Sequence, residues 1–171
     1  RELSGTALSP ILPAEAENIG RKIMEKAVLI GEKGFSWITY GHELQMDKII
    51  IGQTGPFLYD GLVGIALFMA ALARHTGSGE AKRNAEKMIR PMLEQLNHPA
   101  FPLPVYRMQT GLGNGLGGLI QALLLIGDYL EDQAVYDHVV NLIEKITPEQ
   151  IKKAKGLTVL DGTAGLISPL I

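Results

Sequence analysis

Apolar positions in this chain fall into two patterns that alternate along its length. In three blocks they run almost without interruption: Gly61 to Ala73, Leu116 to Leu130, and a last one opening at Gly162 with Leu166 and Ile167 inside it. A helix that is apolar nearly all round must be enclosed on nearly every side, so each block predicts a buried inner helix, beginning near Leu58, Leu116 and Gly162. In the segments between, apolar residues recur every three or four positions. Residues 14 to 30 carry Ile19, Ile23, Ala27 and Ile30 on one stripe, and 80 to 96 and 133 to 146 repeat the pattern, predicting outer amphipathic helices. Pro91 predicts a bend in the second of these, and Thr147 followed by Pro148 predicts a capped start to a further short helix. Phe35 to Tyr40 and Lys48 to Gly52 read as two short extended segments joined by a polar excursion, a loop or short hairpin expected to pack on the helices before the first inner one. The Val/Ile-rich strands that a βαβ fold needs before each helix are missing, so the fold class is all-α.

Each apolar block opens on the same spacing of glycines. Gly61 and Gly64, Gly115 and Gly118, and Gly162 and Gly165 are each three apart, on one helical face, where a missing Cβ admits another backbone. The intervals between these pairs, 54 and 47 residues, suit a repeat of two helices with their connections. The glycines around Gly113, Gly115, Gly117 and Gly118 also permit an anion site built from exposed amides, but the Lys-Ser/Thr of a nucleotide loop does not follow and no strand precedes, so helix-start packing is the favoured reading. Asp60 stands directly before Gly61, and its carboxylate is expected to cap the first inner helix.

Composition narrows the chemistry. A chain of 171 residues with 46% apolar and 20% charged content suits a folded domain, and 16 basic against 18 acidic residues give a net charge of −2, with no general attraction to nucleic acid. Cysteine is absent, which removes thiolate ligands and thiol nucleophiles from this chain. His42, His75, His98 and His138 are scattered without the spacing of a zinc site. No apolar run reaches the roughly 20 residues that span a bilayer.

Taken with their flanks, the glycine pairs resemble a known family. Leu58-Tyr59-Asp60-Gly61-Leu62-Val63-Gly64-Ile65-Ala66-Leu67-Phe68, preceded by Gly55-Pro56, resembles the first glycine motif of the cyclase domain in class II lanthionine synthetases. Thr110-Gly111-Leu112-Gly113-Asn114-Gly115-Leu116-Gly117-Gly118-Leu119 looks like the second, and the run from Leu157 to Ile167 like the third. The segment Phe35-Ser36-Trp37-Ile38 sits where those domains carry a tryptophan segment. The resemblance implies an α/α toroid of inner and outer helices, of which residues 1–171 form the first three glycine-motif repeats as one incomplete domain. It implies a parent enzyme that adds peptide cysteine thiols to dehydroalanine or dehydrobutyrine, with a zinc ion held by two cysteines and a histidine in later repeats.

Several expectations follow from that likeness. The chain opens on Arg1 and closes at Ile171 within the third inner helix, so it is expected to be a piece of a longer cytoplasmic protein, inactive alone, with no cofactor of its own. Its partners are then the precursor peptide and either the rest of the parent chain or a second copy. Thr158 stands where the family tends to place an acid, and threonine cannot serve as that acid or base. Asp60 and Asp161 are the remaining catalytic candidates, and Tyr59, Tyr106 and Arg107 are candidates for lining the end of the toroid where peptide enters. Two alternatives stand beside this reading. One is a noncatalytic helical peptide-binding or assembly module; the other is a glycosidase-like toroid, which needs two carboxylates about 5 to 9.5 Å apart across a groove.

Overall fold

The computed structural model describes residues 11–31, 34–43, 48–97, 109–154 and 156–171. Its helices are α1 (Ile11–Met24), α2 (Leu62–Thr76), α3 (Gly79–Asn97), α4 (Leu116–Leu130), α5 (Gln133–Glu144) and α6 (Pro148–Lys153). A 3₁₀ turn over Thr163–Leu166 then runs into the short α7 (Ile167–Leu170). Strands β1 (Val28–Ile30) and β2 (Gly34–Ser36) form one antiparallel hairpin, and β3 (Ile38–Glu43) and β4 (Lys48–Gln53) form another. The fold is mostly helical, with the hairpins preceding the helix packing, a toroid-like arrangement of inner and outer helices.

Burial follows the two apolar patterns. In α4, ten of fifteen residues are buried, and Leu116, Leu119, Ile120 and Leu123 are wholly so. It packs against α2 on one side and against α5 and α7 on others. Helix α2 buries Val63, Ala66, Met69, Ala70 and Leu72, and rests on α3 and α1 as well as α4. The amphipathic α3 and α5 turn single stripes inward: Ala81, Ala85, Met88, Ile89 and Met92 from α3, Val135, Val139 and Leu142 from α5. Helix α3 continues through Pro91, whose ring supports β2 at a Cγ only 3.5 Å from where a Cβ on Gly34 would sit.

The connections explain how the layers stay in register. Gly77 ends α2 in the left-handed region (φ 72°), and its N–H donates to Ala73 O at 2.9 Å, turning the chain at once into α3. Between α4 and α5 the turn is equally short. Glu131 takes φ 55°, and Asp132 caps α5 by accepting from the Ala134 N–H at 3.0 Å. Thr147 caps α6 with a reciprocal box, its hydroxyl accepting from the Gln150 N–H while the Gln150 side chain accepts from the Thr147 N–H at 2.7 Å.

The expected helix over 14 to 30 stops at Met24. Lys26 and Ala27 donate to Ile23 O and Met24 O in tight turns, and Val28-Leu29-Ile30 pairs with Gly34-Phe35-Ser36 instead of extending the stripe. Ile30 fits a helical and an extended pattern equally well, and Gly31 at φ 59° supplies the hairpin turn that decides between them. What does pack is this first hairpin: β2 lies on α3, with Lys87 Nζ 5.8 Å above the Phe35 ring. The second does not bury its apolar residues. Ile38, Tyr40, Ile49 and Ile51 lie on one face of the β3–β4 ribbon and stand exposed, a departure from the expected hairpin packed on the helices. The first inner helix also starts at Leu62 rather than near Leu58, because Leu58 to Asp60 belong to the loop before it.

Since α4 is enclosed on several sides, its centre tolerates little loss of volume. Leu119→Ala should lower unfolding free energy by about 2 to 5 kcal/mol in denaturant titrations. Leu124→Ala, half-buried on the same helix, should cost clearly less.

Candidate functional site

Three loops lead into the inner helices, and they have one design. In each, the N–H just after the first motif glycine donates to the carbonyl seven residues earlier: Leu62 to Gly55 at 2.7 Å, Leu116 to Gln109 at 2.8 Å and Thr163 to Gly156 at 3.0 Å. The first glycine of each pair is the N-cap residue, extended and without a side-chain cap. The second glycine meets the carbonyl six residues back, Leu58 for Gly64, Leu112 for Gly118 and Val159 for Gly165. A Cβ at any of the three would overlap that backbone, so the glycines serve close approach and not positive φ.

The loops also bond to one another. Tyr59 N–H donates to Gly113 O at 3.2 Å, and Gly113 N–H donates to Leu160 O at 2.8 Å. These residues hold the same place in their loops, two before the first glycine. Leu112 N–H adds a bond to Val159 O at 2.9 Å. The result is a stack of three loops joined through main-chain hydrogen bonds, with Gly111 and Gly117 lying against the third loop at Leu160, Asp161 and Gly165.

That stack settles what the second loop's amides do. Leu116, Gly117 and Gly118 donate to Gln109, Thr110 and Gly111, so these N–H groups close the loop and are not held out for an anion. Thr110 is the one described residue whose buried side-chain oxygen has no hydrogen-bond partner.

Asp60, Asn114 and Asp161 hold the next equivalent place, directly before the first glycine. The cap expected of Asp60 is not made. With its amide turned to satisfy the local network, Asn114 donates to Asp60 Oδ1 at 3.0 Å and to Gly113 O at 3.2 Å, so Asp60 joins the first loop to the second. Asp161 is exposed on the third loop, and its N–H donates to Thr158 Oγ1 at 3.3 Å. Thr158 thus shapes a turn at the place where the family tends to carry an acid; its carbonyl accepts from Gly162 as well.

Tyr59 and Asp60 meet at a groove of about 540 Å³ walled by Ile23, Trp37, Leu58, Ile65 and Phe68. Asp161 does not line it. The structure therefore brings Tyr59 and Asp60 together and leaves Asp161 on another loop, while Tyr106 and Arg107 lie outside the described residues. Trp37 is fixed at the groove by its indole N–H, which donates to Ile23 O at 2.9 Å and satisfies a carbonyl at the end of α1. Sequence reasoning missed Asn114 as the partner of Asp60. The signal was present, since Asn114 precedes Gly115 as Asp60 precedes Gly61. Among the described residues no group of three His, Cys, Asp or Glu side chains could hold a metal ion. His75 instead packs edge-on to Tyr129, with ring centroids 6.0 Å apart.

Three substitutions test the loops. Gly118→Ala should destabilise the chain by about 3 kcal/mol or more, because backbone rather than a flexible side chain stands where the Cβ would go. Gly156→Ala should stay within about 0.5 kcal/mol, as nothing lies within 4 Å of its Cβ position and Gln109 fills the equivalent place. Thr110→Val, which removes the unpartnered hydroxyl, should leave stability unchanged or raise it by about 1 kcal/mol. Denaturant midpoints for the three variants decide each case.

No curated protein matches the chain. The family model described as lanthionine synthetase C-like protein matches residues 52–171, from the end of β4 through all three loops. That match covers more than two thirds of the sequence, and the chain belongs to the lanthionine synthetase C-like family.

Proposed function

We propose that this chain is part of the cyclase domain of a class II lanthionine synthetase, contributing the first three repeats of a toroid in which peptide cysteine thiols add to dehydroalanine or dehydrobutyrine to form thioether rings. The observation that carries the reading is the stack of three Gly-x-x-Gly loops, together with the family match across them. A cytoplasmic location belongs to the same reading. The family's zinc does not fit the residues present: this chain has no cysteine, and its described residues offer no clustered donor set. No step is assigned to zinc here, and thiolate ligands have to come from elsewhere in the complete protein. What this chain supplies is a rigid set of inner-helix starts, with Tyr59 and Asp60 beside a groove open to peptide.

A second reading, an assembly module, is favoured by one feature. Leu157, Val159, Leu160, Ile167 and Leu170 are exposed together at the third loop and α7, an apolar surface suited to a further protein element. The glycosidase alternative gains no support, because Asp60 and Asp161 stand on the outer two of three stacked loops with Asn114 between them.

Mass spectrometry after thiol alkylation distinguishes the readings. Given a dehydrated precursor peptide, the complete protein should consume free thiols by ring formation while the 171-residue chain leaves them all open to alkylation. Ring formation by the chain alone, or none by the complete zinc-loaded protein, overturns the proposal. Within the chain, Asp60→Ala should cost about 1 kcal/mol by freeing Asn114, and Asp60→Asn less, since an amide oxygen still accepts that hydrogen bond. In the complete protein, Asp60→Asn with native stability but slower ring formation assigns the charge a part in the chemistry; unchanged ring formation leaves Asp60 as scaffold.

A further inference from the structure

The groove beside Asp60 has a neighbour. A second groove of about 350 Å³ lies along α1, and its lining is Ile19, Lys22, Ile23, Lys26, Trp37 and Ile65. Three of these residues, Ile23, Trp37 and Ile65, also wall the first groove. The two therefore adjoin at these residues and make one track, with Asp60 lining only the first part and Lys22 and Lys26 only the second.

The chemistry along the track is uneven in a way that selects an occupant. Its middle is apolar, and the polar hydrogens nearest that middle are already used: the Trp37 indole N–H goes to Ile23 O, and the Thr54 hydroxyl donates to Trp37 O at 3.0 Å. The ends are charged and open. Asn114 engages Asp60 through one carboxylate oxygen, and neither Lys22 nor Lys26 forms an ion pair with a described residue. A globular partner suits a flat patch, whereas two adjoining grooves with opposite charges in their outer parts match an extended chain carrying the reverse charges.

We propose that this track seats an extended peptide segment, apolar in the middle, with a basic residue at the Asp60 end and an acidic residue at the Lys22 and Lys26 end. The proposal rests on the reading of the chain as part of a peptide-modifying domain, and adds to it a place and a charge pattern for the substrate. Half of the track lies outside the family match, since α1 and Trp37 precede residue 52. The charge pattern is thus set jointly by Lys22 and Lys26 at α1 and by Asp60 beside the first glycine loop.

Trp37 is the only tryptophan in the sequence, so its emission reports on the track directly. The 171-residue chain is titrated with tryptophan-free synthetic peptides of alternating leucine and alanine, carrying two glutamates at one end and two lysines at the other, in both sequence directions. One direction should give a saturable blue shift as the peptide displaces water from the indole. Lys22→Glu with Lys26→Glu should weaken that binding roughly 5- to 30-fold at low salt, a range set by the loss of two exposed ion pairs and their replacement by repulsion. A peptide with lysines at both ends should restore binding to the variant, and a native unfolding midpoint for the variant excludes misfolding as the cause. No saturable shift with either direction, or equal affinity in wild type and variant, overturns the proposal. A shift produced by raising the protein concentration alone assigns the groove to a second copy and also overturns it. In the complete protein, ring formation indifferent to the charge reversal defeats this inference and spares the proposed function; peptide binding without ring formation does the reverse.

Discussion

The rest of the molecule depends on the approach of one backbone to another at the glycine loops. Loop carbonyls lie where the Cβ atoms of Gly64, Gly118 and Gly165 would be, and the amides beyond each first glycine are satisfied only because the loop folds back this closely. Move the loops apart and the inner-helix starts lose both their hydrogen bonds and their spacing. The apolar packing of α2 against α4 is strong but has little direction of its own. It is the main-chain bonds from Tyr59 to Gly113 to Leu160 that hold the helices level with one another. Burial supplies the driving force, and the loops decide where it is spent.

Much of this was legible in the residues. A segment such as Leu116 to Leu130 has only Gln121 and Asp128 to turn outward, so its place at the centre follows largely from composition. The glycine pairs announced a close approach, though not what would approach. Two of the departures from expectation have different reasons. Val28 to Ile30 was assigned to a helix because a short apolar run carries no decisive period, and the partner strand that settles it lies across a turn. Asp60 was read as a cap because a cap is what an acid before a helix most often does locally. Its actual partner, Asn114, is 54 residues away, and only the stacking of two loops puts them side by side.

The groove was the least legible part. Its walls come from α1, from Trp37 between the two hairpins, and from Leu58, Ile65 and Phe68 at the first inner helix, segments with no shared pattern in the sequence. Ile65 and Phe68 read simply as members of an apolar helix, and they are half-buried for the reason that the groove is where their helix is not covered. The family match spans the loops, whereas α1 and Trp37, which supply the other wall of the groove, precede it. The β3–β4 ribbon lies beside that wall. A two-stranded ribbon is marginal by itself, and here it hangs from the body through its base, where the Thr54 N–H donates to Trp37 O at 2.9 Å.

The ladder through the three loops has a sense of direction. At Gly113 the same residue accepts from the loop before it and donates to the loop after it, so one side of each loop differs from the other. Such head-to-tail contacts cannot be satisfied by pairing two like faces around a twofold axis. Repeated with a constant turn, they have two outcomes only, a closed ring or an endless filament. The bond polarity at one glycine thus gives the stack a front and a back, so that whatever continues it has to offer the opposite side.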